Sequence, residues 1–153
     1  SMNKRKLVEL NKNLLLVYTG LSRNAHEIAK GYISKLNTSK KSHIYEILNF
    51  VKEGEKILKG GETNDFGRLL HESWLAKKGL SKSITNSKID QIYDKAIKNG
   101  ALGGKLLGAG GGGFILLYVP QFRQKNVIKH FRKLITIPFN FSNEGSKIMF
   151  KKI

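Results

Sequence analysis

The stretch Ala101-Leu102-Gly103-Gly104-Lys105-Leu106-Leu107-Gly108-Ala109-Gly110-Gly111-Gly112-Gly113-Phe114 constrains this chain more than any other. Glycine has no Cβ, enters positive φ freely, and lets backbone N–H groups come close to an anion or to another backbone. So many glycines in one run raise the entropy lost on folding. Beside an apolar strand such a run reads as a loop kept open for close contact, above all a phosphate site, rather than as a linker. Gly108-x-Gly110-x-x-Gly113 matches the dinucleotide fingerprint in letters only, because that fingerprint follows a strand and opens a helix, whereas here a helix precedes and a strand follows. Gly104-Lys105 fails as a Walker loop because Leu106 stands where a hydroxyl should hold Mg²⁺.

The elements around the loop follow from periodicity. Leu14 to Tyr18 is a short apolar run bounded by Asn13 and Thr19-Gly20, which predicts a buried strand. Asn24 and Glu27 form a capping-box pattern for a helix carrying Ala25, Ile28, Ala29, Tyr32, Ile33 and Leu36 on one face. A second helix runs through Ile44, Ile47, Leu48, Val51 and Leu58 to the Gly60-Gly61 break, and a third from Thr63 to about Gly79. The fourth is capped by Ser87, with Asp90 completing the box, and ends at Gly100. A strand from Phe114 to Val119 is stopped by Pro120, and a helix with Val127, Ile128 and Phe131 inward follows. Alternation at Ile135, Ile137, Phe139 and Phe141, then the turn Ser142 to Gly145 and a strand from Lys147 to Lys151, predict a closing hairpin; Pro138 assigns its first strand to an edge or a bulge. Clustered helices with a closing hairpin give an α+β fold: a small antiparallel sheet packed on one side by helices.

The 153 residues fit a single domain spanning 1–153, and 40% hydrophobic content suffices for a folded core. There are no cysteines, which excludes disulfide scaffolds and thiolate chemistry and fits a cytoplasmic location. No apolar run approaches the roughly 20 residues of a membrane span. The opening Ser1-Met2 reads as the remnant of a cleaved tag, so a region preceding Asn3 is expected. The net charge of +17 raises an alternative, a non-catalytic module for anions or nucleic acid. Against nucleic acid, the excess is nearly all lysine spread along the chain, whereas recognition of bases and phosphates favours arginine. His26, His43, His71 and His130 have no metal-ligand spacing.

Gly103 to Phe114, GGKLLGAGGGGF, resembles the third sequence motif of the GHMP kinases, the galactokinase-type sugar kinases. Tyr18-Thr19-Gly20-Leu21-Ser22-Arg23 and Leu70-His71-Glu72-Ser73-Trp74 to Lys77 are similar to the C-terminal half of the heptose 7-phosphate kinase branch, so nearly the whole chain is covered. The resemblance implies a ferredoxin-like C-terminal domain and a two-domain enzyme that transfers the γ-phosphoryl of Mg-ATP to a sugar, with D-glycero-D-manno-heptose 7-phosphate as the favoured substrate. It further implies an N-terminal kinase domain, absent from this chain, carrying the main ATP loop and the acidic residue that assists the sugar hydroxyl. Lys105, Gly108, Ala109, Gly110, Gly111, Gly112 and Gly113 would then support the nucleotide phosphates. ATP and Mg²⁺ are cofactors of the longer enzyme and are not expected to bind this chain stably by itself.

Four further residues are candidates for the sugar phosphate. Arg23, at a strand-to-helix junction, suits a bidentate phosphate clamp or a surface cap. His71, Trp74 and Lys77 recur every third residue on the third helix and share its surface. They would flank a sugar; otherwise Trp74 is a core or interdomain anchor, and His71 and Lys77 belong to a solvated face.

Phosphoryl transfer needs a phosphate cradle and metal ligands beyond one glycine loop. The chain alone is therefore expected to show no sugar-kinase turnover with Mg-ATP in a coupled ADP-release assay, and turnover above the protein-free blank would refute this.

Overall fold

The computed structural model describes residues 3–22, 25–33, 41–142, 144–146 and 148. The elements run α1 (Lys4–Asn13), β1 (Leu14–Tyr18), α2 (Ala25–Ile33), α3 (Lys41–Gly60), α4 (Thr63–Lys78), α5 (Ser87–Lys98), β2 (Gly103–Leu106), β3 (Phe114–Tyr118), α6 (Gln121–His130) and β4 (Ile135–Ile137). The strands form one antiparallel sheet in the order β2-β3-β1-β4. The chain has the α+β fold expected of it, with four helices between the first two strands.

Register decides what each face of the sheet does. Leu106, Ile115 and Val17 lie side by side across β2, β3 and β1, and with Leu117 and Val119 they are fully buried. They join Trp74, Ile84, Ile89, Ile92, Tyr93, Ala96 and Val127 in the main core, which the inward stripe of α5 fills. On the other face Leu14 and Tyr118 pack with Leu10 of α1 and Leu70 of α4, flanked by Phe66, Leu102 and Phe139. Farther along that face Tyr18 and Phe114 stay half-buried, with ring centroids 5.2 Å apart.

Two elements have no counterpart in the periodicity. The helix α1 is capped by Asn3, whose side chain accepts from the N–H of Arg5, and it buries only Leu10 fully. The strand β2 is half glycine and reads as loop, because glycine has little tendency to form strands. Neighbouring backbones explain it. A Cβ at Gly103 would land on the carbonyl oxygen of Gly67 and 2.8 Å from the amide nitrogen of His71, while one at Gly67 would lie 2.6 Å from the Tyr118 ring. Gly103 thus lets α4 lie directly on edge strand β2, and Gly67 leaves room for the Tyr118 ring of β3 beside the same helix.

Two expectations are corrected. The cap of α5 is Asn86, one residue before Ser87: its side chain accepts from the N–H groups of Lys88 and Ile89, and Asp90 turns instead to Lys78 and Thr85. The closing hairpin does not form among the described residues. After β4 pairs with β1, Pro138 offers no N–H to extend the ladder, and the chain turns onto α1. There Asn11 donates to the Phe139 carbonyl (3.2 Å) and accepts from the Phe141 N–H (3.2 Å). Lys147 and residues 149–151 of the expected last strand lie outside the described residues, as do Asn24 of the first capping box and Leu36.

Replacing Gly103 by alanine is expected to destabilise the domain by about 3 kcal/mol, since the obstruction is backbone and cannot rotate away. Gly60→Ala, with nothing within 4 Å of its new Cβ, should stay within about 1 kcal/mol of wild type. Urea midpoints measure both, and equal midpoints would refute the tight α4–β2 contact.

Candidate functional site

The glycine-rich turn joins β2 to β3 and is held by neighbours on two sides. The Gly111 N–H donates to the Ile84 carbonyl (2.8 Å), and the Gly113 N–H to the Leu21 carbonyl (2.8 Å). The Gly113 carbonyl accepts from both the N–H and the hydroxyl of Thr19 (2.9 Å each). Gly108, Gly110, Gly111 and Gly113 all have positive φ, from +73° to +122°. Among the described residues the N–H groups of Gly108, Ala109 and Gly112 have no protein acceptor, whereas Gly110 is buried and closes the turn over 108–109. The three N–H groups border a cavity of ≈ 310 Å³ lined also by Tyr18, Leu21, Ser22, Leu107 and Phe114. Donors of this kind beside an apolar wall suit an anion attached to a less polar body.

Two lysines stand at the base of the loop. Lys77, on the last turn of α4, donates to the carbonyls of Leu106 (3.1 Å) and Gly108 (2.5 Å), where β2 ends and the loop begins. Lys105, in the middle of β2, donates to the Ser73 hydroxyl (3.1 Å) and lines a groove of ≈ 490 Å³ between α3 and α4. Burial, helped by the neighbouring Lys105 ammonium, pulls the Lys77 pKa down to about 8, and burial lowers that of Lys105. Two ammonium groups held this close favour an incoming anion.

The other residues singled out in the sequence separate. His71 and Trp74 point toward α5, away from Lys77. The His71 Nδ1 is 2.7 Å from the Tyr93 hydroxyl, with the two rings stacked at 5.9 Å. The buried Tyr93 phenol also faces the Gly104 N–H, and desolvation raises its pKa. Trp74 is fully buried in the main core, and its Nε1 is the one buried side-chain polar atom without a partner among the described residues. It has no surface to offer a sugar, which corrects its candidacy as a substrate contact. Leaving that N–H unpaired costs about 1–3 kcal/mol, which the packing of a large indole offsets. Arg23 lies outside the described residues.

Sequence reasoning missed the loop's anchors. Ile84 and Leu21 contribute through backbone carbonyls, which any residue supplies, so their identities carry no signal. Asn86 adds a side-chain bond to the Gly111 carbonyl (3.4 Å), and its N-cap position was one residue from the one assigned.

A family model described as GHMP kinases C terminal matches residues 55–135, from α3 through the glycine loop to β4. The chain is 34% identical over 145 residues to the D-glycero-alpha-D-manno-heptose 7-phosphate kinase of Campylobacter jejuni subsp. jejuni serotype O:2, covering 91% of this chain and 42% of that protein. It is 30% identical over 112 residues to the bifunctional fucokinase/GDP-fucose pyrophosphorylase of Arabidopsis thaliana, covering 71% of this chain and 10% of that one. The crystal structure of the Methanococcus jannaschii mevalonate kinase superposes with a TM-score of 0.71 at 28% identity, over 88% of this chain and 42% of that one. A putative sugar kinase from Campylobacter jejuni superposes with a TM-score of 0.63 at 27% identity, over 95% and 41%. The chain thus spans less than half the length of the relatives it matches. The family model takes in α4, Lys77, Lys105 and the whole glycine loop, and this chain belongs to the GHMP kinase family, matching its C-terminal domain.

Proposed function

We propose that residues 1–153 form the C-terminal domain of a cytoplasmic, ATP-dependent sugar kinase that phosphorylates D-glycero-D-manno-heptose 7-phosphate, working with an N-terminal domain that carries the main nucleotide loop. The observation that carries this reading is the β2–β3 loop, where among the described residues the N–H groups of Gly108, Ala109 and Gly112 have no protein acceptor and lie beside Lys77. The 34% identity to a heptose 7-phosphate kinase supports the substrate. A contiguous partner domain is supported by the apolar surroundings of the loop, where Leu107 (39%) and Ile135 (61%) are exposed beside half-buried Tyr18 and Phe114.

In this reading the loop amides and Lys77 hold phosphoryl oxygens, and Lys105 adds positive potential behind them. ATP fits this set through its phosphates. Mg²⁺ does not: no acidic residue lines the loop cavity, and among the described residues no cluster of histidine and carboxylate side chains could hold a metal, so its ligands would come from the N-terminal domain. Mg-ATP supplies the phosphoryl group, while the residues of this chain bind, orient and keep water from one side of the cleft. His71, tied to Tyr93, acts through the packing of α4 on α5 rather than by touching the sugar.

Gly110 is a poor place to test the loop, because a Cβ there would meet the Ile84 backbone at 2.8 Å within this same domain. Gly108 is better. Its φ of +73° is one that asparagine tolerates, and nothing lies within 4 Å of a Cβ there. In the full-length kinase Gly108→Asn is expected to lower kcat/KM at least ~10-fold, about 1.4 kcal/mol, by obstructing what approaches the loop. Folding stability should change by less than about 1 kcal/mol. Near-normal kinetics would mean that nothing approaches the loop.

Lys77 provides a second test. Its folded-state pKa lies below its unfolded value, so charged Lys77 weakens folding below about pH 8, and that penalty fades as pH rises from about 8 toward the ordinary lysine value. Stability measured across that window should rise more in wild type than in Lys77→Met. With ¹³Cε-labelled lysine, one resonance should titrate near pH 8, vanish in Lys77→Met, and shift to higher pKa when the full-length kinase is saturated with a non-hydrolysable ATP analogue and the heptose phosphate together. A midpoint unmoved by saturating ligand would exclude Lys77 from the phosphate site.

A further inference from the structure

The basic charge is not evenly distributed once the chain is folded. After Asp94 the sequence contains one acidic residue, Glu144, against eleven lysines and arginines. Between α5 and the end of α6 the fold gathers Lys88, Lys95, Lys129, Arg132 and Lys133 around one concavity of ≈ 500 Å³, with no acidic residue in its lining. Its floor is apolar: Ile92 and Phe131 are buried members of the main core, and Leu134 packs beside them. It shares no lining residue with the glycine-loop cavity. Among the described residues none of the five cations makes an ion pair.

Helix dipoles explain only part of this arrangement. Lys95 and Lys129 lie in the last turns of α5 and α6, where a cation is favoured. Lys88 lies in the first turn of α5, where the dipole opposes a cation, and its ammonium comes 3.6 Å from where a Cβ of Gly20 would stand. Lys88 and Lys95 are seven residues apart and share a helix face, turned toward the cluster from α6. Like charges converging on a concave, apolar-floored site focus a positive potential that a multivalent anion would neutralise. A nucleic-acid backbone is a poorer match: a duplex is convex and would meet only the rim, and four of the five cations are lysine, the weaker residue for planar recognition.

We propose that this concavity binds a compact, multiply charged phosphate anion, of the class of a nucleoside diphosphate or inorganic triphosphate, at a site separate from the glycine loop. The His130 ring lines the same cavity, its Nδ1–H donating to the Asn126 carbonyl (2.8 Å).

The test is calorimetric titration of the chain with inorganic triphosphate at about 0.15 M salt, where non-specific attraction is largely screened. One-to-one saturable binding is expected, weakened at least ~10-fold by the triple variant Lys95→Gln, Lys129→Gln, Arg132→Gln, and less than ~2-fold by the equally charged control Lys4→Gln, Lys52→Gln, Lys82→Gln. All six residues are exposed, so both variants should fold, and circular dichroism checks this. Three outcomes would overturn the proposal: no saturable binding, equal weakening by both triples, or loss of binding in Gly108→Asn, which would put the anion at the loop. A single-stranded oligonucleotide forms the last arm. Binding tighter than that of triphosphate through the same three residues would replace the compact anion with nucleic acid.

Discussion

The contact of α4 with the backbone of β2 is the constraint on which the rest of the site depends. Gly103 removes the side chain that would separate helix from strand, Gly67 leaves room for the Tyr118 ring of β3, and a Cβ at either would strike the neighbouring element. Because α4 lies so close, Lys77 reaches the Leu106 and Gly108 carbonyls, and Ser73 reaches Lys105. The same approach sets Trp74 into the main core while Leu70 faces the opposite cluster. One helix thereby ties both layers of the sheet to the root of the loop.

The loop itself is a compromise between freedom and restraint. Its glycines adopt backbone conformations that other residues resist, yet bonds to Ile84, Leu21 and Thr19 fix both of its sides. The anchors come from the segment before α5 and from the residues just after β1, so two distant parts of the chain converge on it. Glycine supplies the conformations, and the anchors select among them. That is how a stretch with such high intrinsic entropy can present amides in a defined direction.

Electrostatics divide the molecule in two. Lys77 and Lys105 are partly desolvated, hydrogen-bonded to neutral oxygens, and lowered in pKa by burial. The cations between α5 and α6 are exposed and make no ion pairs among the described residues. Lysines of the first kind shape a site from within, whereas the second kind act through the field they sum to. A formal charge of +17 describes neither.

Much of this was legible in the chain before it folded. The strand at 14–18, the helices from α3 through α6 and the α+β class follow from periodicity and breakers, because apolar spacing and glycine or proline stops act locally. The motif from Gly103 to Phe114 marked the loop, and its resemblance to the GHMP kinases agrees with the family match. What local pattern could not supply was every feature set by a distant partner. β2 forms at Gly103–Leu106 although glycine disfavours strands, since α4 and β3 satisfy and cover it. Phe139 and Phe141 alternate like a strand, but Pro138 and Asn11 turn them onto α1. His71, Trp74 and Lys77 share a spacing yet divide between the core and the loop, because a helix packed on two sides gives neighbouring residues different environments. The basic cavity is built from α5 and from Lys129 to Leu134 at the end of α6 and just beyond it, more than thirty residues farther along the chain than Lys95, and only their packing brings lysines dispersed along the chain to one place.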